Sequence, residues 1–373
     1  MDTAPNPFSP TFGVTPPVVA GRQHAVRSFH DAFTGPAGAP GRTVLVSGAR
    51  GVGKTVMLNE FEDTAREQGW LTISESSSPG LLDRLLHEHL LPLIHERSLD
   101  GSRLTGLSAS VGPISASASW AGPPPSTALR PALNQLLDDL APRLSGLAIT
   151  VDEIQDADLA ELRRLGEILQ FARREGRPLA FAGAGLPTGV DELLRSPGTT
   201  FLRRAQALRL ADLSPEETLD ALGAPANHSG RPFTLTALQV AKDLAQGYPY
   251  LIQALGYCSW QEAAARASAS ITVEDVEAGA ESAFSLYRSN VLHQAWLDLS
   301  PKDREFLSIV ASVSENSPVS VTDIRDTWKK SSDYVTVYRS RLLAQGLITS
   351  PARGLIAFAI PGLGAYAADN SLL

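Results

Sequence analysis

Gly48-Ala49-Arg50-Gly51-Val52-Gly53-Lys54-Thr55 puts a glycine at each end of a short loop and closes it with a lysine and a hydroxyl. That is the chemistry of a phosphate cradle. Backbone N–H groups can wrap an anion only where no side chain blocks the approach, which is what Gly48 and Gly53 provide. Lys54 is suited to reach the β- and γ-phosphates of a nucleotide, and the Thr55 hydroxyl to ligate Mg²⁺. Val56 lies in the first turn of the helix that follows, whose positive N-terminus faces the anion. The context separates a P-loop from a glycine-rich turn: the apolar strand Thr43–Ser47 enters the loop, and an amphipathic helix with Val56, Leu58 and Phe61 leaves it.

A second motif adds reactivity. Ala148-Ile149-Thr150-Val151-Asp152-Glu153 is a mostly apolar strand ending in two carboxylates. At the C-terminal edge of a sheet they stand beside bound phosphates. Asp152 suits Mg²⁺ ligation and Glu153 suits polarising a water for attack on the γ-phosphate. Adjacent carboxylates favour hydrolysis over phosphoryl transfer to a small molecule. ATP or ADP with Mg²⁺ are the expected ligands, and the expected enzyme is an ATPase.

These residues need a scaffold that brings strand ends together. Strands at Thr43–Ser47, Trp70–Ile73, Leu147–Val151, Leu179–Gly183 and Ala205–Leu210 alternate with helical spacing, which predicts a parallel sheet covered on both faces. The α/β P-loop domain is expected over residues 18–212, after an extended Pro/Thr-rich arm at 1–17. Within it, 101–127 is a Ser/Ala/Gly/Pro insertion that partly alternates, as a hairpin-like excursion would. From Ser214-Pro215-Glu216-Glu217, where Ser caps and Pro takes the first helical position, the pattern turns helical and predicts a lid domain over 213–299. Three short helices near 301–311, 320–327 and 332–345, then a ribbon from Leu347 to Ile360, predict a winged helix over 300–373.

Composition narrows the classes. The 373 residues are 43% hydrophobic and 19% charged, as in a globular protein of two or three domains. The single cysteine, Cys258, fits a reducing, cytoplasmic setting and reads as a buried small hydrophobe. The N-terminus has no basic start and no apolar core of a secretory signal. No apolar run approaches the roughly 20 residues that span a bilayer. The net charge of −8 argues against a general nucleic-acid coat but leaves room for a local basic face.

Taken with Asp152-Glu153-Ile154-Gln155 and Gly247-Tyr248-Pro249-Tyr250-Leu251, the P-loop resembles AAA+-type ATPases. Within them the chain looks like the origin-recognition-like and STAND signalling ATPases that end in a winged helix, over about residues 18–361. The resemblance implies that Val18–Arg22, with Val19 and Arg22 foremost, packs near the adenine. It implies that Pro249 packs against the base from the lid. It also implies that Arg203 or Arg204 meets a γ-phosphate, often across a subunit boundary. The sensor-1 position falls in Phe181–Gly185, where the family's polar side chain is either missing or displaced to Thr188. No sensor-2 arginine is evident, so slow or switched turnover is as consistent as rapid turnover.

Residues 300–373 hold eight Lys/Arg against seven Asp/Glu, a charge of +1 beside −9 for the remainder. Lys329, Lys330, Arg339 and Arg341 cluster about the expected recognition helix, and Arg353 sits at the wing tip, as contacts for DNA or a protein partner. Near-neutrality is a weak electrostatic footprint, and winged helices also dock proteins. The sequence thus reads as an ATP-hydrolysing switch controlling a C-terminal winged helix. Three alternatives stay open: an origin-recognition-like DNA-binding ATPase, a STAND-type regulator forming nucleotide-dependent homo-oligomers, and a weakly or non-hydrolysing scaffold.

Overall fold

Why the three inner strands of the sheet sit covered, and the two edge strands only in part, is visible from their residues. The computed structural model describes residues 5–11, 13–36, 38–99, 125–143, 145–199 and 201–370. Most of the Ser/Gly/Pro-rich insertion, and so the hairpin expected in it, lies outside them. Helix α1 (Gln23–Thr34) buries Phe29 and Phe33 and leads into strand β1 (Thr43–Ser47). In β1, Val44 and Val46 enter the core on one face and Leu45 that on the other, so the strand is marked by an unbroken apolar run. Helix α2 (Lys54–Glu67) leaves the P-loop, and β2 (Leu71–Ser76) is an edge strand. A long helix follows, α3 (Leu81–Arg84) and α4 (Leu91–Leu99), joined by a π-helical turn at Leu85–Leu90.

Then come α5 (Pro125–Leu140), β3 (Leu147–Asp152), α6 (Leu159–Arg174), β4 (Leu179–Gly185), α7 (Pro187–Arg195) and β5 (Gln206–Arg209). The sheet order is β2-β3-β4-β1-β5 and every pairing is parallel. From β1 the chain crosses to the far edge, returns through β3 and β4, and ends on the other side of β1. The ends of β1, β3 and β4 therefore open on one edge, where such sheets take ligands.

After the sheet, Ser214 caps α8 (Pro215–His228) with Pro215 in its first turn, as expected, and the cap is a reciprocal capping box with Glu217. Helices α9 (Leu235–Ala245), α10 (Pro249–Ala265) and α11 (Val273–Tyr287) pack together, with α10 central: Leu251, Ile252, Leu255 and Trp260 bury all its sides. Helix α11 continues through a π-helical turn at Arg288–His293 into α12 (Gln294–Leu297).

The last segment holds α13 (Pro301–Val313), β6 (Val319–Ser320), α14 (Val321–Trp328), α15 (Ser332–Ala344), β7 (Ile348–Thr349), β8 (Leu355–Phe358) and α16 (Leu363–Asp369). Its strands form an antiparallel sheet in the order β6-β8-β7. Val319–Ser320 pairs with β8 where the sequence pattern runs into a helix. Helices α7 and α16 carry no long periodic stripe. Docking makes them: Leu363, Tyr366 and Ala367 of α16 are buried. One apolar core runs from Phe8 through the α8–α12 helices to Leu363, without a break near residue 300. Among the described residues no helix is long and apolar enough to cross a membrane.

Candidate functional site

The P-loop leaves β1 with two glycines in left-handed backbone, Gly51 (φ +72°) and Gly53 (φ +99°), the latter capping α2. Lys54 is 7% exposed and its Nζ donates to the Ala49 carbonyl (3.2 Å), curling the ammonium back over the loop. Burial lowers its pKa, opposed by Glu153 and Asp152 and reinforced by Arg50. The Thr55 hydroxyl donates to Asp152 Oδ2 (2.7 Å), and Asp152 Oδ1 accepts from the Glu153 N–H (2.9 Å). Strand β3 thus delivers its terminal carboxylate to the first turn of α2.

Glu153 adopts left-handed backbone (φ +49°), uncommon for a non-glycine residue and a form of strain that gathers at functional sites. Its carboxylate accepts from Gln155 Nε2 (2.7 Å). Asp156 lies just beyond, its pKa raised by burial and by Glu153.

A cavity of about 950 Å³ opens on these groups. The P-loop from Arg50 to Val56, with Glu153 and Gln155, forms its polar end. Val19, Leu213, Pro249 and Ile252 give it an apolar side, which the Arg22 side chain joins. Arg22 is anchored by Nη2 to the Ala211 carbonyl (2.5 Å), and burial lowers its pKa against Glu217 and Asp212. The structure therefore brings together Arg50 to Val56, Val19, Arg22, Pro249 and Glu153, with Asp152 one hydrogen bond behind Thr55. Gly48 stands at the root of the loop, where a Cβ would meet Val52 Cγ1 at 2.5 Å.

Other sequence-predicted residues lie elsewhere. Arg203 and Arg204 are exposed on the turn before β5, outside the cavity lining, with Arg203 Nε donating to the Leu194 carbonyl (2.6 Å). Thr188 turns to the C-terminal segment, outside the cavity lining, and donates to the Leu343 carbonyl (2.8 Å). Arg339 donates to Ser350 Oγ (3.0 Å), and Arg341 pairs with buried Asp303 (3.1 Å) and lies over the Tyr338 ring. Lys329, Lys330 and Arg353 are exposed, with Lys330 beside the Tyr334 ring.

Three features escaped sequence reasoning. Tyr248, 1% exposed, reaches from the N-cap of α10 to donate to the Arg50 carbonyl (2.9 Å). The N-terminal arm crosses the cavity: Asn6 Nδ2 and the Ser9 N–H bond to Tyr257 O and Gln253 Oε1 of α10, and Asn59 of α2 holds the Gly13 carbonyl (2.9 Å). Ala344 and Gln345, at the end of α15, line the cavity, with Gln345 Oε1 buried and without a hydrogen-bond partner among the described residues. The one trace of these in sequence is glycine: Gly51 is where Tyr248 passes, a Cβ there standing 2.2 Å from its hydroxyl.

The parallel sheet in this order, a glycine loop after β1 and paired carboxylates after β3 define a P-loop ATPase fold of the AAA+ type. Residues 18–181 match the family described as AAA ATPase domain, and the chain carries a nucleotide-binding ATPase domain of that kind. Residues 289–367 match a family described as a domain of unknown function (DUF8462). Among solved structures the chain is similar to the ORC2 protein of Aeropyrum pernix in ADPNP–ADP complexes. That likeness has 15% identity and a TM-score of 0.63, over 96% of this chain and 95% of that one. It is also similar to a Walker-type ATPase of Pyrococcus abyssi, with 14% identity and a TM-score of 0.64 over 94% and 96% of the two chains. At such identities the likeness is one of fold. No curated protein matches the chain by sequence.

Proposed function

We propose that the chain is an ATP-hydrolysing switch: a P-loop domain over 18–212 behind an arm at 1–17, a helical lid over 213–299 and a winged helix over 300–373. The observation that carries it is the meeting of Lys54, the Thr55–Asp152 pair and Glu153 at one end of a cavity whose walls also come from α10 and the end of α15. Lys54 binds the β- and γ-phosphates, and Gly48 to Val56 supplies backbone donors. Val19, Arg22 and Pro249 hold the base. Thr55 and Asp152 are hard oxygen donors side by side, a set that fits Mg²⁺. Bound there, the ion would offset charge on the phosphates. Glu153 polarises the attacking water. Arg203 or Arg204, both on the outer surface, acts on a neighbouring subunit's nucleotide in an ATP-dependent homo-oligomer.

The output is the winged helix. Helix α15 exposes Ser332, Asp333, Thr336, Val337 (55%), Ser340 and Arg341, the last also paired with Asp303, while Arg339 is half-buried and bonded to Ser350. That surface favours a protein partner over DNA. Lys329, Lys330 and Arg353 are the contacts left to the DNA-binding alternative.

Calorimetry and turnover test the assignment. Lys54→Ala should abolish ATP binding, whereas Glu153→Gln should bind ATP normally and hydrolyse it at least about 100-fold more slowly. Unchanged ATP affinity in the Lys54 variant would sink the reading.

A further inference from the structure

We propose that Gln155 is the positioning residue for Glu153 and that it ties this carboxylate to the C-terminal segment through α7. The inference rests on Glu153 acting in hydrolysis as set out above.

Both ends of the Gln155 amide are used. Nε2 donates to Glu153 Oε2 (2.7 Å), and Oε1 accepts from the Leu186 N–H (3.1 Å). A carboxylate needs a donor and an N–H needs an acceptor, so only one orientation of the amide satisfies both. The side chain lies in a groove kept open by glycine. A Cβ on Gly185 would stand 2.2 Å from Gln155 Oε1, and one on Gly189 2.4 Å from Gln155 Cβ. Two glycines at the end of β4 and in α7, neither with positive φ, thus make room for one side chain. This is also the place where the sequence lacks a polar sensor on β4. An amide from the β3 loop fills it.

Glu153 needs such a partner. It is exposed at the cavity, and its left-handed backbone aims the carboxylate where no helix or strand would hold it. Gln155 and a hydrogen bond from the Ser77 hydroxyl to the Glu153 carbonyl fix the residue at both ends.

The far end of the amide reports on another part of the molecule. Leu186 is the N-cap of α7. Two residues on, Thr188 donates to the Leu343 carbonyl of α15 (2.8 Å), and Gly346 lies so close to Leu186 that a Cβ would stand 2.9 Å from Leu186 Cδ2. A shift of α15 against α7 moves the Leu186 N–H, and with it Gln155 and Glu153. The C-terminal segment thereby sets hydrolysis, and hydrolysis is sensed there in return.

The test is steady-state ATPase kinetics on the full chain. Gln155→Glu is isosteric and keeps the acceptor for Leu186, but puts a second carboxylate against Glu153. It should lower kcat by about 10- to 100-fold with KM nearly unchanged, as misplacement of a reacting group does. Gln155→Met, which fills the groove without polar ends, should behave alike and serves if the glutamate variant fails to fold. In a Glu153→Gln background neither change should slow turnover further. Thr188→Val should lower kcat in the wild type and add nothing to Gln155→Glu. Wild-type kcat in both Gln155 variants, or losses that add to that of Glu153→Gln, would overturn the proposal while leaving Glu153 its role. Wild-type turnover in Glu153→Gln alone would remove both.

Discussion

The Tyr248 hydroxyl donates to the carbonyl of Arg50 across 2.9 Å, fastening the start of α10 to the phosphate-binding loop itself. Burial holds the phenol's pKa far above its ordinary value, so it stays a donor at any working pH. A second tie, Arg50 to Asp298 at 3.3 Å, is solvent-exposed and worth little. We therefore expect the Tyr248 bond to carry most of the coupling between these helices and the loop. Tyr248→Phe should cost about 1 kcal/mol of stability. It should also speed ATP release by about tenfold, an effect of about 1.4 kcal/mol. Stopped-flow release of a fluorescent ATP analogue measures it, and an unchanged release rate would break the coupling. Gly51→Ala is harsher, because the methyl meets the Tyr248 hydroxyl at 2.2 Å in left-handed backbone; ATP binding should be lost.

Lys54 gives the site a proton signature. Burial lowers its pKa below the ordinary 10.5, with Glu153 and Asp152 opposing. Between the lowered value and 10.5 the unfolded chain binds more protons than the folded one, so this group's contribution to stability rises with pH there. Nucleotide phosphates favour the ammonium and reverse the shift. ATP binding in that alkaline window should take up protons, and the uptake should vanish toward neutrality. Calorimetry in two buffers of different ionisation enthalpy reads it out. Equal enthalpies in the window would place the ammonium away from the phosphates.

The cradle was legible because its chemistry is local. Gly48 to Thr55 and Asp152-Glu153 each sit at the end of an apolar strand, and strand ends share one edge of a parallel sheet. The helix start at Ser214 and Pro215 is legible for the same reason, consecutive residues sufficing to build it. What stayed hidden depends on contacts between distant residues. Tyr248 meets Arg50 198 positions away, and Thr188 meets Leu343 155 positions away. No periodicity records such pairs. Arg341 is a further case: a basic residue on an expected recognition helix reads as a contact for DNA or a protein, and its pairing with a carboxylate buried in the same segment, 38 positions away, leaves no mark in the pattern.

The N-terminal arm is expected to govern access to the nucleotide. Phe8 is 3% exposed, edge-on to Phe233 at 6.3 Å, and lies against Gly256, where a Cβ would stand 2.5 Å from its ring. At the other side of the cavity Asn59 Nδ2 holds Gly13 O and Thr15 Oγ1 (3.1 Å). Phe8→Ala removes an anchor worth about 3–5 kcal/mol if fully felt. The arm can detach without unfolding the core, so the loss in global stability should be smaller. Proteolysis within the arm and ATP release should both accelerate, and saturating ATP should slow the cleavage. A cleavage rate indifferent to Phe8→Ala would show that the arm is held elsewhere.

Charge removal on the C-terminal segment should separate structure from binding. Asp303 is 1% exposed, accepts from the Ser300 hydroxyl (2.5 Å) at the start of α13, and pairs with Arg341 at 3.1 Å. Arg341→Ala leaves that carboxylate buried with a single neutral donor, at a cost of about 1–3 kcal/mol. Thermal unfolding should reveal the loss whether or not DNA is ever bound, so a weakened gel shift in this variant carries no information about DNA. Lys329, Lys330 and Arg353 are exposed, and changing all three to alanine should alter stability by no more than about 0.5 kcal/mol at each position. If the segment bound DNA through them, the salt slope of binding would fall by about one per contact removed. With α15 presenting Thr336, Val337 and Ser340, we expect the unmodified chain to show no salt-dependent DNA affinity for the triple variant to lose. A wild-type slope that drops by about three in the triple variant would reverse the choice of partner in favour of DNA.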